Sequence, residues 1–135
     1  MPPSKPKPKT SPDLSALFRL MEPWPDSWAG DDEDIPVGQG LVNELKPFIA
    51  HLCSLGLSPK TVRRHLDACW VIGGEIIRNV EEEPKRSRKS PLKLILDAVD
   101  MDEAPLVHDA SEQEQRSFDA TAKKLHRFLV EKHLF

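Results

Sequence analysis

Apolar side chains recur at helical spacing along most of the chain, and residues 58–80 carry the clearest pattern. Apolar or small residues follow one another there at intervals of four and three: Val62, Leu66, Cys69, Gly73, Ile76 and Val80. This spacing puts them on one face of an α-helix, so we predict a long helix with one buried side. Each glycine of the pair Gly73-Gly74 costs about 1 kcal/mol relative to alanine within a helix. The pair therefore predicts either close packing of another helix or a kink.

Four weaker patterns predict the remaining helices, and three of these four follow a recognisable start signal. Serine followed by proline precedes three of the five predicted helices, at Ser11, Ser58 and Ser90, and Ser111 with Glu114 forms a capping box before the last. Gly56 is the expected end of a helix over about 40–55. The expected buried positions are Leu14, Leu17, Phe18 and Met21; Leu41, Leu45, Phe48, Ile49 and Leu52; Leu92, Ile95, Leu96 and Val99; and Phe118, Ala122, Leu125, Phe128 and Leu129.

The pattern as a whole predicts an all-α fold, because no segment shows the two-residue alternation of a strand. We expect a small four-helix bundle over residues 38–135, with a kink or the true helix start at Pro47. Residues 1–37 should form a separate region. It comprises a disordered Pro/Lys tail, a short extra helix that Pro23 and Pro25 stop, and an acidic linker over about 22–38.

Length and composition narrow the class of protein. A chain of 135 residues suits one domain with a tail. No apolar run approaches the roughly 20 residues that span a bilayer. The amino terminus lacks the apolar segment of a secretory signal, so we expect a cytoplasmic protein. The two cysteines lack CxxC spacing, which favours free thiols in a reducing compartment.

Charged residues are unevenly distributed along the chain. The location of basic clusters is a better indicator of anionic binding partners than the net charge of -3. Residues 58–93 hold nine basic and five acidic residues. A helix amino terminus favours phosphate through its free N–H groups and its dipole. The predicted phosphate contacts are Lys60, Thr61, Arg63 and Arg64 at the helix start, and Lys85, Arg86, Arg88, Lys89 and Lys93 in and after the following loop. The alternative is a solvated helix face beside an ordinary loop.

Candidate metal and catalytic residues carry weaker signals. His51, Cys53, His65 and Cys69 have the right chemistry for zinc, but His51 and Cys53 point to different helix faces. Cys69 also lies in the apolar stripe, where a free cysteine behaves as a small hydrophobic residue. The remaining histidines have no nucleophile at a suitable spacing, and there is no glycine-rich phosphate loop. We therefore expect a protein that is not an enzyme, with no metal and no cofactor.

The segment from Phe48 to Leu66, FIAHLCSLGLSPKTVRRHL, resembles the opening of the SAM-like core-binding domain of phage-integrase-type tyrosine recombinases. The resemblance includes the turn at Gly56, Thr61 in the next helix and Trp70 further along it. Near the carboxyl terminus, TAKKLHRFL over residues 121–129 is similar to the family's last helix. The resemblance covers about residues 40–135.

The resemblance implies a four-helix domain that clamps duplex DNA through its backbone, in recombination or a mobile element. It adds Lys123, Lys124 and Arg127 to the predicted contacts. The family's catalytic domain supplies a tyrosine nucleophile, and this chain contains no tyrosine and ends where that domain would begin. The implied role is therefore a non-catalytic DNA-binding module.

A second hypothesis comes from the aromatic and acidic residues of the predicted linker. Trp24 and Trp28 lie close to the acidic run over residues 31–34. Aromatic residues among acids in a flexible segment can form a strip that binds a protein partner. In that case the chain is a helical protein–protein interaction module with no nucleic-acid role. A plain linker whose tryptophans cover the edge of the bundle is the remaining alternative.

Overall fold

A computed structural model describes residues 13–83, 89–100, 103–107 and 109–133. Within these ranges all regular structure is α-helical, which confirms the predicted fold class. The bounds of the helices are α1 Leu14–Met21, α2 Trp24–Trp28, α3 Asp34–Ser54, α4 Pro59–Glu82, α5 Pro91–Ala98 and α6 Glu112–His133. None of the described helices is long and apolar enough to cross a membrane. The predicted disordered tail lies outside the described residues.

The helices form a small bundle around one apolar core. α3 packs against α4, α5 and α6, while α4 also packs against α5 and α6. α1 and α2 lie against α3, and α2 reaches α4. Every member of the predicted stripe on α4 is buried. The largest side chains that are fully buried come from five different helices: Met21, Phe48, Leu41, Leu45, Ile49, Leu52, Leu66, Ile72, Ile77, Ile95, Leu125 and Leu129.

Side-chain caps begin α4, α5 and α6 at the predicted serines. The Ser58 and Ser90 hydroxyls each accept a bond from the third backbone amide that follows, at 3.2 Å. Ser111 and Glu114 form the reciprocal capping box, with bonds of 3.0 and 3.1 Å. Gly56 takes a positive φ of 75° after the end of α3, in the left-handed region that glycine tolerates.

The first turn of α1 and the course of α3 differ from the prediction. Asp13 caps α1, because its Oδ1 accepts from the backbone amides of Ser15 and Ala16 at 3.1 and 3.4 Å. The prediction placed the start at Ser11. Pro47 lies inside a helix that starts at Asp34, so the prediction that it could mark the helix start is wrong.

The prediction that residues 22–38 form a linker is wrong. Residues 24–28 form α2, since Pro25 occupies its first turn, where proline has no N–H to lose. Two of the acidic residues, Asp31 and Asp34, then organise the turn into α3. Asp34 is buried, and its Oδ2 accepts from the amides of Gly30 and Asp31 at 2.8 and 3.2 Å.

The glycine pair of α4 packs against another helix, which confirms one of the two predicted alternatives. Trp28 of α2 lies over Gly73, where an added Cβ would overlap the indole and lie 2.6 Å from Cη2. At Gly74 the nearest indole atom would be 3.3 Å away. The Trp28 ring N–H donates to the backbone carbonyl of Trp70 at 2.9 Å. Gly73 is therefore the position that lets α2 approach α4 closely.

We predict that Gly73→Ala lowers the free energy of unfolding, because its methyl group must displace the Trp28 ring. The gain in helix propensity offsets part of the overpacking cost, leaving a loss of about 1–2 kcal/mol. Gly74→Ala is the matched control, with the same propensity gain and a milder contact, so it should be near neutral. Urea unfolding followed by tryptophan fluorescence measures both. Equal stability of the two variants would contradict the proposed seating of Trp28.

Candidate nucleic-acid interface

The start of α4 holds four of the predicted contact residues in its first two turns. Ser58 caps this helix, and Lys60, Arg63 and Arg64 follow with exposed side chains. Thr61 belongs to the cap itself, because its Oγ1 accepts a hydrogen bond from the Ser58 hydroxyl at 2.9 Å. The cationic side chains at this helix start therefore face solvent.

Arg63 and Arg64 are adjacent but have different electrostatic surroundings. Nε of Arg63 donates to Oδ1 of Asp67 at 3.1 Å, in a pair whose side chains are 55% and 65% exposed. Such exposed pairs contribute at most about 1 kcal/mol, so a phosphate can compete with Asp67 for Arg63. Arg64 makes no ion pair within the described part of the chain. Its charge is available without displacing a carboxylate.

α6 presents the other exposed cations of this region. Lys123 and Arg127 are four residues apart and share a helix face. Lys124 and Arg127 line a cavity of about 190 Å³ beside the carboxyl-terminal end of α3, together with Glu131. None of the three cations lies within 4 Å of a carboxylate among the residues described.

A buried hydrogen bond joins α4 to α6 beside these charges. Nδ1 of His65 lies 2.7 Å from Oγ1 of Thr121, and both side chains are buried. The Thr121 hydroxyl also lies 3.4 Å from the Ser117 carbonyl, one turn earlier on α6. Arg64 precedes His65, and Lys124 lies one helical turn after Thr121. The bond therefore holds both cations beside the seam between α4 and α6.

The position of His65 between α4 and α6 also affects its ionisation. Burial lowers the pKa of His65 below its ordinary value, and the positive charges of Lys124 and Arg64 lower it further. Two cations sixty residues apart in the chain thus both lie in the electrostatic surroundings of one imidazole. We use the name basic face for these two cations together with one exposed base a turn earlier on α4 and two further exposed bases on α6. Its residues are Lys60, Arg64, Lys123, Lys124 and Arg127.

Lys89 and Lys93 lie elsewhere in the bundle. The Nζ atoms of both lysines lie 2.9 Å from the Asp97 carboxylate, and these bonds lower the pKa of Asp97. Lys89 and Asp97 line a cavity with Asn79, near the carboxyl-terminal end of α4. Asn79 is fifteen residues from Arg64 on α4, or about 22 Å along the helix axis. The structure therefore does not bring Lys89 and Lys93 together with Arg64. Lys85, Arg86 and Arg88 lie outside the described residues.

One cluster of acidic residues lies at the opposite end of α3 from the basic face, while Asp67, Glu114 and Glu131 lie near its cations. Exposed Asp31, Asp32 and Glu33 precede α3, and the side chain of Glu81 of α4 lies beside Gly30. Lys124 and Arg127 lie by the other end of α3, about 27 Å away along its axis. This exceeds the Debye length of about 8 Å at physiological salt, so this cluster screens the basic face only weakly.

The tryptophans of the second hypothesis are not available to a partner. Trp24 and Trp28 are 7% and 9% exposed, with ring centroids 5.6 Å apart in the core. Their spacing of four residues puts both on the buried side of α2. The prediction that they form a partner-binding strip with the acidic linker is therefore wrong. The tryptophan with an exposed ring is Trp70, at 43%.

The candidate metal ligands do not assemble into a site within the described ranges, where no group of three or more His, Cys, Asp or Glu side chains could hold an ion. Burial raises the pKa of the Cys69 thiol to about 12 and also raises the pKa of Cys53. Both thiols therefore stay protonated at neutral pH. Nδ1 of His65 lies against the Thr121 hydroxyl.

Comparisons with models of protein families, with curated proteins and with solved structures found no match to this chain. The resemblance to the integrase core-binding domain therefore stays a prediction from its short motifs. The site rests on the geometry of this chain alone.

Sequence reasoning missed the bond between His65 and Thr121. The sequence presents His65 as a candidate metal ligand and Thr121 as part of a motif near the carboxyl terminus. Its position between Val62 and Leu66 places His65 on the buried side of α4, which is a signal that it needs a partner inside the protein. The identity of that partner depends on how α6 packs.

We predict that the free energy of unfolding falls as the pH is lowered, because of His65. The pKa of His65 in the folded protein lies below its value of about 6.5 in the unfolded chain. At a pH between these two pKa values, the unfolded chain therefore binds more protons than the folded protein. The free energy of unfolding is highest above about pH 6.5 and declines as the pH falls towards the folded pKa. Urea unfolding between pH 7.5 and 5 should show a smaller decline in His65→Asn. The same pH dependence in both proteins would contradict this role.

Proposed function

We propose that this chain is a non-catalytic DNA-binding module that holds duplex DNA by its backbone phosphates on the basic face. The observation that carries the proposal is the 2.7 Å contact between His65 and Thr121, which places their neighbours Arg64 and Lys124 on adjoining helices. Neither cation pairs with a carboxylate in the described ranges. A polyanion such as DNA binds where several cations lie close together without carboxylate partners.

The separation of charge along the bundle supports the same proposal. The chain has a net charge of -3, which opposes binding to DNA in an arbitrary orientation. The acidic turn before α3 lies at one end of the bundle and the basic face at the other. The electrostatic field of DNA therefore orients the protein as it approaches, with the basic face towards the phosphates. Electrostatic steering of this kind raises association rates and is lost with salt.

The character of the side chains favours phosphate contacts over base reading. The basic face consists of exposed lysines and arginines on the surfaces of two helices, and the exposed start of α4 adds a positive dipole. Contacts of this type position a protein on DNA without carrying sequence information. We therefore expect weak dependence on base sequence.

The proposed context is recombination or a mobile element, in an accessory role. This part rests on the resemblance of residues 48–66 and 121–129 to the integrase core-binding domain. The absence of tyrosine from the sequence excludes the family's tyrosine nucleophile in this chain.

We predict that duplex affinity falls steeply with salt and that Arg64→Ala with Lys124→Ala flattens the dependence. In a plot of the logarithm of the binding constant against the logarithm of the salt concentration, each phosphate contact contributes about -0.9 to the slope. The slope of the double variant should therefore be less negative by about 1.8. The matched control is Lys89→Ala with Lys93→Ala, which removes the same charge from lysines bound to Asp97. Fluorescence anisotropy with a labelled 20-base-pair duplex measures the slopes.

Three outcomes of this titration are informative. A slope reduced only in the Arg64/Lys124 variant supports binding at the basic face. Equal reductions in both double variants would mean that net charge alone controls binding, against the proposal. Absence of binding by the wild-type chain at low salt would reject a DNA-binding role.

A further inference from the structure

A groove beside the basic face has no role in the function proposed above. It has a volume of about 520 Å³ and lies between α4, α6 and the two amino-terminal helices. Its apolar lining includes Leu20, Trp70, Val71 and Phe118, and Arg63 and Arg64 also line it. Leu20 and Trp70 are two of the large apolar side chains that stay exposed, at 40% and 43%.

Trp70 is held rigidly in the wall of this groove. Its ring N–H donates to the Ser27 hydroxyl at 3.0 Å, and its backbone carbonyl accepts from Trp28 at 2.9 Å. Because the ring N–H already has a partner, the part of the indole that remains exposed is its apolar ring. A fixed aromatic ring loses little conformational freedom when a flat ligand stacks on it.

We propose that the groove binds an unpaired nucleobase, which stacks on Trp70 while a neighbouring phosphate of the same strand contacts Arg64. The inference rests on the proposed function and adds a substrate class, DNA that contains unpaired bases. Arg64 belongs both to the basic face and to the groove, so a strand held on that face reaches Trp70. The two residues are about 9 Å apart along α4.

The polar residues of the groove suit the edge of a base. Asp67 and Glu114 line it with carboxylates, and Ser117 adds a hydroxyl. Carboxylates accept hydrogen bonds from exocyclic amino groups, such as N4 of cytosine. They also repel phosphate, which favours an orientation with the base inside the groove and the backbone at Arg64. An apolar ring flanked by such acceptors matches a base more closely than a uniformly charged ligand.

The test compares a perfect duplex with the same duplex carrying a central gap of three unpaired cytosines. We expect the wild-type chain to bind the gapped DNA more tightly. Stacking on an aromatic side chain contributes about 1–3 kcal/mol per base, so Trp70→Ala should lose roughly tenfold or more on gapped DNA. Binding to the perfect duplex should not change. Val130→Ala, which truncates another exposed apolar side chain, should alter neither.

Tryptophan fluorescence provides a second measurement that does not depend on the alanine variant. Trp24 and Trp28 are buried, so iodide should quench mainly Trp70. The oligonucleotide dC12 should protect the wild-type chain from iodide. Trp70→Phe keeps an aromatic ring and should retain most of the preference for gapped DNA, even if Trp70→Ala unfolds.

The outcomes separate this inference from the proposed function. Salt-dependent binding to both DNAs without a preference for the gap, and without protection by dC12, would overturn the inference and leave the function standing. Failure to bind either DNA would reject both. Protection of Trp70 by an acidic amphipathic peptide and not by dC12 would overturn the inference and assign the groove to a protein partner.

Discussion

The packing of Trp28 against Gly73 and Gly74 of α4 is the contact on which the rest of the structure depends. Gly73 has no Cβ, so the indole lies against the helix backbone and its ring N–H reaches the Trp70 carbonyl. This contact anchors α2, and Ser27 of α2 then fixes the Trp70 ring. One missing methyl group thereby sets the wall of the groove and the orientation of its exposed aromatic ring.

The placement of the cations depends on a second pair of constraints. The short turn at Gly56 reverses the chain, so the start of α4 lies beside the end of α3. The bond between His65 and Thr121 then sets which residues of α6 lie next to that start. Together they bring Arg64 near Lys124 and leave the acids before α3 at the far end. A chain with net negative charge can thus present a locally positive surface.

Features that depend on neighbours within four residues were predictable. The serine caps, the capping box and the stripe of α4 all follow from helix periodicity and from bonds between a side chain and a nearby amide. The same local reasoning was wrong over residues 22–38. Pro23 and Pro25 are compatible with two structures, a linker that ends α1 or the first turn of a new helix. The burial of Trp24 and Trp28 in the core favours the helix α2.

The sequence by itself determined that this chain is helical, which side of α4 is buried, and which lysines and arginines lie at helix starts. Only the tertiary structure decided which of those cations lie near one another. The contact between His65 and Thr121 places Arg64 and Lys124 on adjoining helices, while Lys89 and Lys93 lie near the other end of α4 and bind Asp97. The physical reason is that helix periodicity depends on local spacing, whereas the pairing of charges depends on which helix faces pack together.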